Sequence, residues 1–279
     1  MKKVKVGIIG HTGRLGKPLV EILQKHPSIE IVYTESRNEG CCGALSEAEN
    51  VFLALPYGES VNYLKKLSGK RIIDLSIDHR DDSSWAYGLP EIFGDEIKNA
   101  KKVANPGCYA TSILIALYPL KDKIISIRIS STSGMSGAGM AQKKEDNFVS
   151  YKEGDQHPQI KEVSRFIGID DILFVPQRID STERGIISTI FVHTNKKIPN
   201  AHELYQDAYK NCQFVRICDG IETKNVIGTN LCDIKIMKFA DEVLIISTLD
   251  NLLKGGAGQA VQNFNLMHGL KESLGLAGG

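Results

Sequence analysis

The sequence contains no apolar stretch of the roughly 18 residues that a membrane-spanning helix needs, and no block of like charge. Its 34 basic and 33 acidic residues leave a formal net charge of +1, which offers no electrostatic basis for binding nucleic acid or an anionic membrane surface. Cysteine is sparse: Cys41 and Cys42 are adjacent and Cys212 and Cys218 lack zinc-knuckle spacing, so neither a disulfide framework nor a metal site is expected. The start, MKKVKVGIIG, has a basic beginning but an apolar run too brief for a signal-peptide core. Internal repeats and low-complexity segments are lacking too. These absences lead us to expect a cytoplasmic protein that acts on a small molecule.

The chain's 279 residues, 42% of them hydrophobic, suffice for two ordinary domains. VKVGIIG (4–10) reads as a β-branched strand, and Leu15, Pro18, Leu19, Ile22 and Leu23 then recur with the spacing of an amphipathic helix. IEIVYT (29–34) completes a strand-helix-strand unit. NVFLALP (50–56) and RIIDLS (71–76) read as further strands with a helical ESVNYLKKL between them, which predicts a parallel sheet covered on both faces. Beyond Cys108 the rhythm changes. IISIRISSTS (124–133), GIISTIFVHT (185–194), NVIGTNLCDIKIMKF (225–239) and EVLIISTLD (242–250) predict a mostly antiparallel sheet, and GQAVQNFNLMHGL returns to a helical pattern.

GHTGRLG (10–16) joins the first strand to the first helix. Glycines at 10, 13 and 16 permit a tight turn, and the helix's unpaired N–H groups favour a pyrophosphate there. The spacing GxxGxxG departs from the strict dinucleotide fingerprint, and glycines that merely ease the turn are the alternative. At the end of the second strand Glu35 is followed by Ser36 and Arg37, and a hydroxyl beside a guanidinium suits the 2'-phosphate of NADP. The alternative is a solvated loop arginine.

VANPGCYATS (103–112) puts Cys108 at the mouth of a helix striped by Ala110, Ile113, Leu114 and Leu117. A thiol at a helix N-terminus is biased toward thiolate and serves as a nucleophile, although a packed thiol satisfies the same pattern.

Taken in order, GHTGRLG, VFLALPYGES, IDLSIDHR, YGLPEI, VANPGCYATS, SGMSGAG, ERGI, VIGTN and DNLLKGGAGQAVQNFNLMHGL resemble the N-acetyl-gamma-glutamyl-phosphate reductase family over nearly the whole chain. The related reductases that act on carrier-protein-bound aminoadipyl or glutamyl phosphate share these motifs. The resemblance implies an α/β Rossmann domain with a second α+β, glyceraldehyde-3-phosphate dehydrogenase-like domain. Residues 1–107 plus 256–279 would bind NADP, and residues 108–255 would carry catalysis and oligomerisation in a dimer or tetramer. It also implies a reaction: the Cys108 thiolate attacks an acyl phosphate and NADPH reduces the thioester to an aldehyde, with backbone N–H groups beside Cys108 holding the oxyanion.

The family pairs its cysteine with a histidine in a Gly-His-Arg-His-x-Pro-Glu-type segment. The corresponding YKEGDQHPQI (151–160) is shorter, with one histidine and with Gln159 in the glutamate's place. His157 is the acid/base candidate, a plain loop histidine the alternative. For the cofactor, the resemblance points to Gly10, Thr12, Gly13, Arg14, Leu15, Gly16, Ser36, Arg37, Pro56, Ser136, Gly137 and Asn263. For the substrate site the candidates are Asn105, which would orient the nucleophile or simply open the turn, and Arg80, Arg178 and Arg184, each open between an anion contact and an ion pair with the adjacent acid, the match to ERGI favouring Arg184. His11 is expected near the cofactor, whereas His193, His202 and His268 have no partner motif. The rival from another class is a non-catalytic NADP-binding sensor, which would need neither the NPGC turn nor a reactive thiol.

Overall fold

Alternation along the first strand sets the layers of the first unit. Val6 and Ile8 of β1 (Val4–Ile9) face one way and Ile9 the other, and all three are buried, as in a strand covered on both sides. The computed structural model describes residues 3–137, 147–154, 156–195, 197–239 and 242–278. The chain divides into a first unit, Met1–Gly107 with Gly256–Ala277, and a second built on Cys108–Gly255.

In the first unit β1 leads into α1 (Gly16–Lys25), β2 (Ile29–Ser36) and β3 (Gly40–Gly43). Next come β4 (Asn50–Leu53), β5 (Arg71–Asp74), β6 (Ala86–Tyr87), α2 (Pro90–Asn99) and β7 (Lys102–Ala104). The sheet order is β3-β2-β1-β4-β5-β7-β6, parallel except for the β2–β3 hairpin. Because β1 has β2 on one side and β4 on the other, the connections leave in opposite directions at the carboxyl ends of β1 and β4. This is the switch point at which a Rossmann sheet opens a crevice.

The second unit begins with α3 (Cys108–Leu117) and β8 (Ile124–Gly134), followed by β9 (Phe148–Ser150), α4 (Pro158–Ile167), β10 (Ile172–Ile179) and β11 (Ile186–Thr194). α5 (Ala201–Tyr209), β12 (Val215–Ile217), β13 (Cys232–Phe239) and β14 (Glu242–Leu249) complete it. The order β12-β13-β14-β11-β8-β10-β9 is mostly antiparallel, with parallel pairs at β12–β13 and β8–β10. Tyr109 through Leu117 of α3 are all buried, so this helix is apolar all round and lacks a polar face. Where α3 meets the sheet, the Ser112 hydroxyl lies 3.0 Å from those of both Ser188 and Ser247, donating to one and accepting from the other, and Ser131 is 2.8 Å from Ser188, which satisfies hydroxyls that burial would otherwise penalise.

The chain then closes with α6 (Ala257–Met267), whose Ala257, Ala260, Val261, Phe264 and Met267 pack with α1 and α2 on one face of the first sheet. The other face is covered differently. Instead of helices, Leu45, Tyr63, Leu64, Leu67 and Trp85 from the connections pack there. ESVNYLKKL, read as a helix, forms only a 3-10 turn at Ser60–Tyr63 followed by turns, because Ser60 and the nearby backbone are held by Asp78 instead of by helical partners. Similarly, the strand expected over 225–239 starts only at Cys232. Gly228, at φ 81°, turns the chain first, and its N–H is fixed by Asp250 at 2.9 Å. Among the described residues, no helix is long and apolar enough to cross a membrane.

Candidate functional site

The crevice of the first unit has a volume of about 400 Å3 and is lined by Gly10, Thr12 and Gly13 after β1, Glu35, Ser36 and Arg37 at the end of β2, and Leu55, Pro56 and Tyr63 after β4. Gly10 sits at φ 89°, and a Cβ there would collide with the Ala54 carbonyl; one on Gly16 would collide with the Gly10 carbonyl. Two of the three glycines are therefore required for close backbone approach at this turn. Gly10 N–H donates to the Glu35 carbonyl at 2.7 Å, tying the turn to the end of β2, and α1 starts directly beyond Leu15. Arg14 is exposed at the turn's outer side. His11, within the same turn, contacts Glu39 through Nε2 at 3.0 Å.

Glu35 faces this crevice with both carboxylate oxygens engaged. Tyr63 donates to one at 2.9 Å, and Tyr33, together with Lys66 at 3.4 Å, donates to the other. Those phenols and the ammonium hold the carboxyl below the ordinary glutamate range despite its partial burial. Ser36 Oγ accepts from Glu39 N–H at 3.1 Å, and the exposed Arg37 donates to Glu59 at 3.1 Å.

Deeper in the same unit, Asn263 of α6 donates through Nδ2 to the Gly88 carbonyl at 2.9 Å and to Asn105 Oδ1 at 3.0 Å. Its own Oδ1 is fully buried and has no hydrogen-bond partner among the described residues. Asn105 donates to the Gly256 carbonyl at 3.2 Å, and its N–H to the Asp74 carbonyl at 2.7 Å, so the residue that opens the NPGC turn is braced on three sides. Arg80, expected to contact an anion, has its guanidinium on backbone carbonyls, Asn105 at 2.9 Å and Leu75 at 3.2 Å. It is buried, and this geometry makes it a brace for the turn.

Cys108 is the first residue of α3 and is partly exposed. A Cβ on Gly255 would lie 2.6 Å from the Cys108 Cβ, so only glycine fits beside the thiol. The N–H groups of Tyr109 and Ala110, expected to hold an oxyanion, both donate to Gln159 Oε1, at 2.8 and 3.0 Å. They are already satisfied, which removes those two from that role. The sequence marked Gln159 only as a departure from the family's glutamate, not as a partner of these N–H groups; the tertiary packing of α4 on α3 brings it there.

His157 lies close by but in an environment unlike that of an acid/base. It is the N-cap of α4, its Nδ1 accepting from Gln159 N–H at 3.4 Å, and its ring packs edge-on against Tyr109 and Phe174, each at 5.3 Å. Burial, with Lys152 adding to it, pushes its pKa down to about 4. The ring is therefore neutral at pH 7 and holds a proton poorly. Tyr109 and Tyr151 share a hydroxyl contact of 3.0 Å beside it, and burial raises both phenols well above pH 7.

Arg184 lines a second cavity, about 450 Å3, with Thr132, Thr182, Thr223 and Lys224. Its nearest carboxylates, Glu183 and Asp250, are 3.9 Å away. Arg178 is instead committed to a buried pair with Asp180. Ser136 and Gly137 belong to the 3-10 turn Met135–Gly137 in the second unit, where Ser136 accepts from Asn251 at 2.9 Å; Ala138 and Gly139 of SGMSGAG lie outside the described residues.

Two family patterns match the chain: "Semialdehyde dehydrogenase, NAD binding domain" over residues 42–100 and "Semialdehyde dehydrogenase, dimerisation domain" over residues 108–251. Relatives named N-acetyl-gamma-glutamyl-phosphate reductase include those of Christiangramia forsetii, 35% identical over 315 aligned positions, and Alkaliphilus metalliredigens, 36% identical over 339. Each alignment covers 98% of both chains. Both alignments are longer than this chain, so these relatives carry segments that it lacks. Among solved structures, aspartate semialdehyde dehydrogenase II of Vibrio cholerae complexed with ASA superposes with a TM-score of 0.77 at 16% identity, covering 96% of this chain and 99% of that one. The Candida albicans aspartate semialdehyde dehydrogenase with NADP gives 0.74 at 14%, with the same coverage.

Proposed function

Because the chain belongs to the N-acetyl-gamma-glutamyl-phosphate reductase family, we propose that it reduces N-acetyl-gamma-glutamyl phosphate to N-acetylglutamate semialdehyde, with release of phosphate, in arginine biosynthesis. The observation that carries this reading is Cys108, partly exposed as the first residue of α3, inside a chain that matches the family from end to end. Its thiolate attacks the acyl carbon, the C–O bond to phosphate breaks and a thioester remains on the enzyme. A reduced nicotinamide cofactor bound in the crevice would supply the hydride. When the C–S bond breaks, the aldehyde leaves and the thiolate is restored. Arg184, in a cavity with Lys224 and three threonines, is placed to receive an anionic group of the substrate. Asn105 and Arg80 hold the NPGC turn, and His157 supports α4.

The chain has what the dinucleotide requires. The glycine turn accommodates no side chains at Gly10 and Gly16, and the orphaned Asn263 Oδ1 is an acceptor available to a carboxamide N–H. We read the cofactor as NADP. A ribose diol is usually held by the acidic residue at the end of the second strand, but here the oxygens of Glu35 are already engaged by Tyr33, Tyr63 and Lys66. Ser36 and Arg37 remain at the crevice wall, and Arg37 suits a 2'-phosphate.

The outer face of the second sheet supports assembly with a second copy. Phe191 and Leu173 are 43% and 50% exposed, and the strand register aligns Met237, Leu244, Phe191, Arg128 and Leu173 in one row across five strands.

The test is the reverse reaction. Protein, NADP, phosphate and N-acetylglutamate semialdehyde should generate NADPH absorbance, with a much weaker signal from NAD and none from Cys108→Ser. Absence of NADPH with this aldehyde, alongside a signal from an aminoadipate-type aldehyde, would transfer the chain to a different acyl phosphate.

A further inference from the structure

The N-terminus of α3 carries no acidic residue in its first turn, and the N–H groups of Tyr109 and Ala110, which the helix itself leaves without partners, are satisfied by a side chain from α4. That side chain is uncharged. A carboxylate could accept the same two hydrogen bonds, more strongly, but it would also place a full negative charge one residue from the Cys108 sulfur. A carboxamide accepts them without adding a charge to that end of α3.

We propose that Gln159 is a positioning residue of the Cys108 site: its neutral carboxamide fixes the backbone beside the sulfur without opposing the thiolate electrostatically. This rests on the reading of Cys108 as nucleophile. Gln159 is itself fixed as the second residue of α4, where its N–H donates to His157 Nδ1.

The groups around the thiol fit this assignment. On α3 and in the segment after β9, burial, with a smaller contribution from Cys108, keeps Tyr109 and Tyr151 protonated. From α4 comes a neutral imidazole, with Lys152 acting on it. In the connection that brings Gly255 against Cys108, Asp250 accepts N–H groups from Gly228, Leu252 and Leu253, and Lys254 lies over the Phe214 ring, 5.6 Å from its centre. Arg178, which acts on Tyr151, is paired with Asp180. One turn further along α4 lies the buried Glu162, whereas Gln159 sits on the two N–H groups that directly follow Cys108.

Iodoacetamide alkylation of Cys108 tests this in the full-length protein. It is followed between pH 5 and 10 by mass spectrometry of the Cys108 peptide, since Cys41 and Cys42 are exposed and also react. Gln159→Glu should move the midpoint of the rate-pH profile upward by about one unit, slowing alkylation at pH 7 roughly tenfold. Gln159→Lys should move it downward, and either variant alone decides the sign if the other does not fold. Gln159→Met, neutral but without an acceptor, should lower the thermal midpoint while leaving the pH midpoint nearer the parent than Gln159→Glu does. Profiles for Glu and Lys that coincide with the parent, or shift in the same direction, would overturn the proposal. The readout needs neither substrate nor cofactor. A protein that reduces no acyl phosphate but shows opposite shifts therefore refutes the function while keeping the role of Gln159.

Discussion

A histidine's usefulness near neutral pH depends on how its surroundings treat the charged form, and those around His157 oppose it. Burial among Tyr109, Tyr151 and Phe174 brings its pKa to about 4, and His268 in the first unit is lowered to about 4 by burial and by Arg71. In both cases the folded value lies below the unfolded one, so the unfolded chain takes up more protons as pH falls. The stability that these neutral rings confer is complete above about 6.5 and is lost progressively as pH drops toward 4. Urea midpoints measured at pH 7.5, 5.5 and 4.5 should fall in that order, and His157→Leu should reduce the drop. For catalysis, His157→Leu should leave the shape of the pH-rate profile between 6 and 8 unchanged. Loss of one limb of that profile would restore His157 as the acid/base group. The sequence singled out this residue, but its surroundings lie in β10 and α3, which no local pattern connects to it.

At the scale of elements, α3 shows how a helix apolar on every side is held in place. Its N-terminus is capped by Gln159 of α4, and near its C-terminus Tyr205 and Tyr209 of α5 donate to the carbonyls of Ala116 and Ile115 at 2.5 and 2.6 Å. Tyr205→Phe keeps the ring but leaves the Ala116 carbonyl without that donor inside the protein, which should cost about 1–3 kcal/mol by chemical denaturation. An unchanged midpoint would mean that water or a neighbour takes over the bond. Most elements were legible where periodicity is local. The β1-α1-β2 unit, the long strands of the second sheet and α6 follow from spacing alone. ESVNYLKKL has a helical pattern too, but Asp78, well beyond the segment, holds its first residues in a turn. The glycine turn was readable because glycine is required by backbone contact within a few residues. The Gln159 cap and the Glu35 network were not, since each depends on partners contributed by distant segments.

At the scale of the whole molecule, the second sheet has one face against α3 and another that carries exposed apolar side chains. A strand buried on one side should alternate apolar and polar, as β8 does with Arg128, Ser130 and Thr132 on its outer face. β11 breaks the alternation with Phe191, and its neighbours across the ladder are Leu244 on one side and Arg128 on the other. Leu173 extends the same row beyond Arg128. An apolar row flanked by polar residues is costly in water and is stabilised when a second sheet covers it, a contact that a two-fold axis would repeat on both copies. Phe191→Asp replaces the apolar side chain at the centre of that row with a charge, beside an Arg128 that is already paired with Asp171, and burial against another copy would then be costly. Light scattering should show the parent as a dimer or larger and Phe191→Asp as a monomer, with the far-ultraviolet spectrum unchanged. A Phe191→Asp protein that keeps the parent's mass would place the assembly surface elsewhere on the chain.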